Sequence, residues 1–246
     1  MHRAPLPEGA DLSHLLHGTV VLHNAAPRDL SCPLPPTGGV TLLFSDSGEA
    51  LLCGALSRVQ YLTLAAGETV YGAALRWDCG DWLWDGRLSE LTDTLVPLEP
   101  LLPGSNALGA ALSRCATAQE QSALVSRLLT LHGARQYQCA PLLRRCLELM
   151  QERRGQIRVG ELAELLGCSE RYLNRLLRQK VGLSTKTVCE LLQLMQVRQL
   201  IAATRPKSLL HAAVACGYFD QAHMNRHCRS FLGCSASALR QLTVNN

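Results

Sequence analysis

No stretch of the chain approaches the roughly 18 apolar residues that a membrane span requires, and the opening "MHRAPLPEGADL" has no apolar signal core. A cytoplasmic protein without a membrane partner is therefore expected. The 11 cysteines are odd in number, are scattered, and contain no C-x-x-C pair, which disfavours a disulfide framework and leaves reduced, mostly buried thiols. P-loop, G-x-S-x-G, H-E-x-x-H and Rossmann glycine patterns are all missing, so catalysis has no support and neither an enzyme nor a cofactor is expected. Lysine is absent from residues 1–140, where 8 Arg face 13 Asp plus Glu, a balance of −5. The remaining 16 Lys plus Arg and 7 Asp plus Glu give residues 141–246 a balance of +9. A polyanion is the partner this second segment suits.

The composition, 47% hydrophobic and 18% charged over 246 residues, fits two folded domains. Between residues 18 and 77, short apolar runs such as "GTVVLHN", "GVTLLFSD", "ALLCGAL", "VQYLTLA" and "TVYGAALRW" alternate with Gly, Pro and Asp. They predict a β-sandwich or barrel, with "CPLPPTGG" as a rigid turn. "NALGAALSRC" and "EQSALVSRLLTLH" then show helical spacing, as in Leu124, Leu128 and Leu131, and would cover the β-domain or form a self-association face. After "GARQYQCAP" everything reads as helix, with Pro141 suited to a first helical turn. The expected class is α+β: an N-terminal β-rich effector or oligomerisation domain at 1–140 with flanking helices, and an all-α domain at 141–246.

Among these helices a single grammar occurs twice. "ELAELLGCSERYLNRLLRQKVGLS" and "AAVACGYFDQAHMNRHCRSFLGCS" each place a Gly after a short helix, then an N-cap, Ser169 or Asp220, then a second helix. Ala163 to Ala213 and Gly167 to Gly217 are 50 apart, whereas Ser169 to Asp220, Asn174 to Asn225, Arg175 to Arg226, Arg178 to Arg229 and Gly182 to Gly233 are 51 apart. One extra residue sits in the second turn. Helical periodicity turns Leu173, Leu176 and Leu177 inward in the first unit, and Met224 and Cys228 in the second. Outward stand Glu170, Arg171, Asn174, Arg175 and Arg178, and Gln221, Ala222, Asn225, Arg226 and Arg229. Asn, Gln and Arg are the side chains that pair bidentately with adenine and guanine edges. A connecting helix of about 18 residues would span about 27 Å and set the two reading helices near the 34 Å between successive major grooves.

These stretches resemble the AraC/XylS family of transcription regulators over roughly residues 141–246. The resemblance implies seven helices holding two helix-turn-helix units, and binding to double-stranded promoter DNA with contact to RNA polymerase. By position it assigns base reading to Arg171, Asn174 and Arg175 and to Gln221, Ala222 and Arg226, Ala222 offering an apolar contact. Leu177 and Cys228 stand where the family usually has Phe, Ala212 replaces a larger aliphatic residue, and Gln193 replaces an Arg. "LPPTGGVTLLFS" and "YGAALRW" are similar to an effector or oligomerisation domain of one subset. A small-molecule effector, a protein partner or a second copy of the chain would act there.

Other features have competing readings. Arg153, Arg154, Lys180 and Lys186 are read as phosphate contacts, which add affinity without sequence preference. His223 and His227 are four apart on a helix but lack a third metal ligand, so phosphate or solvent is their expected environment. Trp77, Trp82 and Trp84 would line an effector pocket or, as favoured, anchor the β-core. Cys32, Cys53, Cys79, Cys115 and Cys139 could serve a thiol sensor only if one held a low pKa. A different class of reading makes the chain a protein-interaction module or anti-regulator with a weakened second unit.

Overall fold

The computed structural model describes residues 15–132, 138–204 and 208–242. Its N-terminal half contains two antiparallel sheets. Strands β1 (Leu16–His23), β6 (Thr69–Leu75), β3 (Thr41–Ser45), β4 (Ala50–Cys53) and β7 (Leu95–Pro97) form the larger sheet in that spatial order. Strand β2 (Leu30–Leu34) pairs with β5 (Gln60–Leu64) in the smaller one. Every residue of β3 is buried, because the sheet is covered on both faces. Side chains alternate between the two: Leu42 and Phe44 enter one cluster with Leu52, Leu75 and Leu98, while Leu43 enters another with Leu34, Leu64 and Val70.

Two of these strands escaped the sequence reading. Cys32, Pro33 and Leu34, expected in a turn, belong to β2, whose single neighbour leaves one edge open, a place where a residue without an N–H is tolerated. Strand β7 has three residues, too few to show a period. Helices α1 (Ser105–Leu112) and α2 (Ala118–Leu131) follow. Val125, Leu128 and Leu129 of α2 join the Leu42–Phe44 cluster, so this helix covers the sheet, while Leu131 at its end is 81% exposed.

The C-terminal half is helical throughout: α3 (Pro141–Glu152), α4 (Val159–Leu165), α5 (Glu170–Lys180), α6 (Thr185–Thr204), α7 (Leu209–Ala215), α8 (Gln221–Leu232) and α9 (Ala236–Leu242). Pro141 occupies the first turn of α3, where its missing N–H is harmless. Helix α6 is the spine and is contacted by α3, α5, α7, α8 and α9. That position explains a sequence that is apolar on several sides, with Val188, Leu191, Leu194, Val197 and Ile201 all buried. Among the described residues no helix is long and apolar enough to cross a membrane.

Candidate nucleic-acid interface

The repeated sequence builds the same joint twice. Gly167 (φ +64°) and Gly217 (φ +77°) take the left-handed conformation that ends α4 and α7. The next N–H then returns to the helix, Cys168 to the Ala163 carbonyl and Tyr218 to the Ala213 carbonyl, both at 3.0 Å. Ser169 Oγ accepts from the Tyr172 N–H at 3.2 Å, and Asp220 Oδ1 accepts from the His223 N–H at 2.6 Å. These caps start α5 and α8.

At the far end the duplicated Asn has an employment that periodicity did not reveal. Asn174 Oδ1 accepts from the Thr185 N–H at 3.2 Å, and Asn225 Oδ1 accepts from the Ala236 N–H at 3.0 Å. Each therefore caps the start of the following helix, α6 or α9. Ser184 and Ser235 assist at equivalent places, accepting from the N–H groups of Thr187 and Ala238, both at 3.1 Å. The assignment of Asn174 and Asn225 to base edges is revised accordingly. A bidentate contact with adenine uses both amide atoms, and here the oxygen already fixes the angle between α5 or α8 and the helix that follows it.

What remains outward is largely cationic. Glu170, Arg171, Arg175 and Arg178 on α5 are exposed, as are Ala222, Arg226 and Arg229 on α8, while Gln221 is half-buried. The Arg175 guanidinium lies over the Tyr172 ring, 5.3 Å from its centroid, which limits its rotamers before any partner arrives. Tyr172 was not singled out from sequence, although the Tyr-x-x-Arg spacing on a helix face was a usable signal.

The expected phosphate contacts divide. Lys186 is 81% exposed and forms only a 3.6 Å pair with Glu190. Arg153 sits 4.0 Å from Glu161 with both side chains about half exposed, a weak surface pair. Arg154 is exposed and holds a left-handed backbone (φ +53°) at the end of α3. Lys180 has a different partner: its ammonium is 2.7 Å from the Asp81 carboxylate in the N-terminal half. In this conformation Lys180 is committed inside the molecule, a correction to its reading as a phosphate contact.

Lys180 belongs to a wider clasp on the tails of α5 and α8. Thr92 Oγ1 donates to the Gly182 carbonyl at 2.6 Å, just beyond α5. The Val59 N–H donates to the Ser230 carbonyl in α8 at 3.0 Å. Ala55 and Trp77 are buried in the same cluster as the C-terminal core.

The positions that depart from the resemblance are filled. Leu177, Ala212 and Cys228 are at most 1% exposed. Gln193 Nε2 points to the carbonyls of Cys216 and Gly217 at 3.4 Å each, tying α6 to the second turn.

His223 and His227, expected to face phosphate or solvent, are only partly exposed. Their rings stack edge to face at 4.7 Å between Tyr218 and Phe231, and both are half-buried. The His227 Nδ1 is buried with no hydrogen-bond partner among the described residues. Burial draws the His227 pKa below its ordinary 6.5; Glu190 of α6 opposes this, while His223, Lys186 and Arg226 add to it. A base whose folded pKa is depressed binds fewer protons when folded, so its stabilising contribution is complete above about 6.5 and declines as pH falls below it. Thermal denaturation should therefore show a fall in Tm from about pH 7.5 to about pH 5.5 that is smaller in His227→Phe. Equal falls would remove His227 from the explanation.

Trp82, Trp84 and the cysteines follow the plainer readings, whereas Trp77 is buried with the C-terminal core and not the β-core. The Trp77 indole donates to the Thr37 carbonyl at 2.9 Å and is 5% exposed, and Trp82 and Trp84 pack against the β-core. All eleven cysteines are free thiols. Burial pushes Cys53 up to about 12 and Cys139 up to about 11, and raises Cys79 as well, which opposes the thiolate a sensor needs.

A second feature lies between the halves. An open pocket is lined by Thr19, Val20, Leu34, Pro35 and Ala74 on the sheet side and by Arg198 of α6. Burial draws the Arg198 guanidinium below its usual range, and among the described residues no carboxylate pairs with it.

Residues 162–242 match a family model described as a helix-turn-helix domain. No curated protein sequence matches the chain. Among solved structures, ToxT from Vibrio cholerae aligns over 90% of this chain and 97% of its own, at 9% identity and a TM-score of 0.55. Unsaturated fatty acid-bound wild-type ToxT from Vibrio cholerae strain SCE256 aligns over 90% and 94%, at 11% identity and a TM-score of 0.50. A transcriptional regulator with an AraC-type DNA-binding domain from Chromobacterium violaceum aligns over 42% of this chain and 92% of its own, at 26% identity and a TM-score of 0.40. At 9 to 11% identity the likeness to ToxT is one of fold.

Proposed function

We propose that this chain is an AraC-type, DNA-binding regulator of transcription, a reading supported by its helix-turn-helix match at residues 162–242, and that it lays α5 and α8 into successive major grooves of promoter DNA under the control of its N-terminal region. The observation that carries this reading is the equivalence of the two units. Both reading helices are capped alike, both present a serial Arg face, and each is joined through an equivalent Asn to the helix that follows it, α5 to α6 and α8 to α9. At 1.5 Å per residue, the 20 residues of α6 span about 30 Å. Adding the helix radii brings the two reading faces near the 34 Å repeat of the major groove. One chain then contacts two unequal half-sites, through Glu170, Arg171, Arg175 and Arg178 in one and Gln221, Ala222, Arg226 and Arg229 in the other. Arg153, Arg154 and Lys186 stand as phosphate contacts.

Two observations support control through residues 1–140. The clasp at Asp81, Thr92 and Val59 holds the tails of both reading helices, so the N-terminal half biases their mutual angle. The pocket at Arg198 joins an apolar wall to a guanidinium that no carboxylate of the described residues pairs with, a chemistry suited to an effector with an apolar body and a carboxylate. ToxT, which shares the fold, has been crystallised with an unsaturated fatty acid and with a naphthalenyl-butenoic acid.

Selection of binding sites from a random duplex pool by the purified full chain tests the reading. One sequence should be enriched and retarded at physiological salt far more strongly than random DNA. In the same assay Asp81→Asn, which weakens the hold on Lys180 and leaves both reading faces intact, should tighten binding by about fivefold or more. Failure of any sequence to enrich would leave the interaction-module reading in place. Unchanged affinity in Asp81→Asn would remove the clasp from the control mechanism.

A further inference from the structure

The structure identifies the extra residue of the second turn. Up to Cys168 and Tyr218 the two units match bond for bond, each closing on the Ala five residues back. From Ser169 and Asp220 onward they match again, each capping the third residue ahead. The inserted residue is therefore Phe219, fixed between a closed helix end on one side and an N-cap on the other. Its side chain is 90% exposed, more than any other large apolar residue described. The buried place next to the glycine is taken by Tyr218, at 3%.

An aromatic ring left in water at this point has no use in the chain's own packing. Burying a Phe side chain is worth about 1.5 to 3 kcal/mol, so the fold gives up an available contribution here. The ring precedes the first turn of α8, the end of a recognition helix that meets base edges, and Ala222, exposed, lies three residues further on. Arg226 and Arg229 follow on the same helix. The apolar surface is thus continuous in sequence with the proposed reading face.

We propose that Phe219, together with Ala222, forms an apolar reading element for thymine, packing on a 5-methyl group in the major groove of the second half-site. This rests on the DNA-reading role of α8 and extends it. The first unit has Cys168 followed directly by the cap Ser169, so it has no counterpart to the ring, and the two half-sites differ in what they can read. Thymine alone carries a methyl group at the major-groove edge, which makes an apolar probe selective.

The test uses the full chain and the duplex it selects. Each thymine of the second half-site is replaced in turn by deoxyuridine, which deletes only the methyl. Wild type should lose about fourfold in affinity at one position, the worth of one buried methyl group. Phe219→Ala should bind the unmodified site about tenfold more weakly, in keeping with partial burial of the ring, and should no longer distinguish thymine from deoxyuridine there. Phe219→Leu should retain some of both effects. An unchanged affinity in Phe219→Ala, or a deoxyuridine penalty that persists in it, would overturn the proposal. So would normal DNA binding combined with loss of transcription activation, which would assign the ring to a protein partner. Arg226→Ala run in parallel separates the outcomes: a large loss there with none at Phe219 refutes this inference alone, while no loss in either variant undermines the reading of α8 itself.

Discussion

Full-length protein carrying Arg226→Ala is expected to bind its selected duplex about 5- to 150-fold more weakly, the equivalent of about 1 to 3 kcal/mol, with specificity relaxed in one half of the site only. Arg175→Ala should produce a comparable loss in the other half. Both guanidiniums are exposed on equivalent turns of equivalent helices, and that of Arg175 is held over Tyr172. Arg153→Ala provides the contrast. A phosphate contact should weaken all sequences alike and lower the salt slope by about one charge. Retardation titrations on selected and random DNA decide the matter: equal losses on both for Arg226→Ala would remove base reading from that residue.

A large effect on stability is expected from a residue far from the exposed face. Gly155 closes α3 by donating its N–H to the Met150 carbonyl at 2.8 Å, with φ at +74°. A Cβ there would lie 2.2 Å from the Cys189 carbonyl oxygen of α6, an atom of backbone that cannot swing aside. Gly155→Ala combines the left-handed penalty, about 1 to 2 kcal/mol, with displacement of the α3–α4 corner from the spine, and should cost about 4 kcal/mol or more. Gly167→Ala is the control, because φ is also positive there but nothing lies within 4 Å of the added methyl. Thermal melting should separate the two clearly, and similar Tm values would show that the close approach at Cys189 does not matter.

The two variants also illustrate how far the sequence could be read. The duplicated units were legible because a turn glycine, an N-cap and an apolar stripe recur at offsets of 50 and 51, and each of these carries local geometry. The role of Asn174 and Asn225 was not, since the same amide suits an adenine edge and a helix cap, and only the position of Thr185 and Ala236 decides between them. The clasp was equally hidden. Its hydrogen bonds join Thr92 to Gly182 and Asp81 to Lys180, 90 and 99 residues apart, and no local period reports such pairs. Strands β2 and β7 were missed for a simpler reason, a proline in each and too few residues to alternate. Phe219 lies between these cases. The extra residue was countable, while its exposure required the structure.

The central claim, that one chain reads two successive major grooves through α5 and α8, meets its most direct test in a hydroxyl-radical footprint of the full-length protein on its selected duplex. Two protected segments of unequal sequence, about 10 to 10.5 base pairs apart and on one face of the DNA, are the predicted result. A single protected segment, or two inverted copies of one sequence, would contradict it.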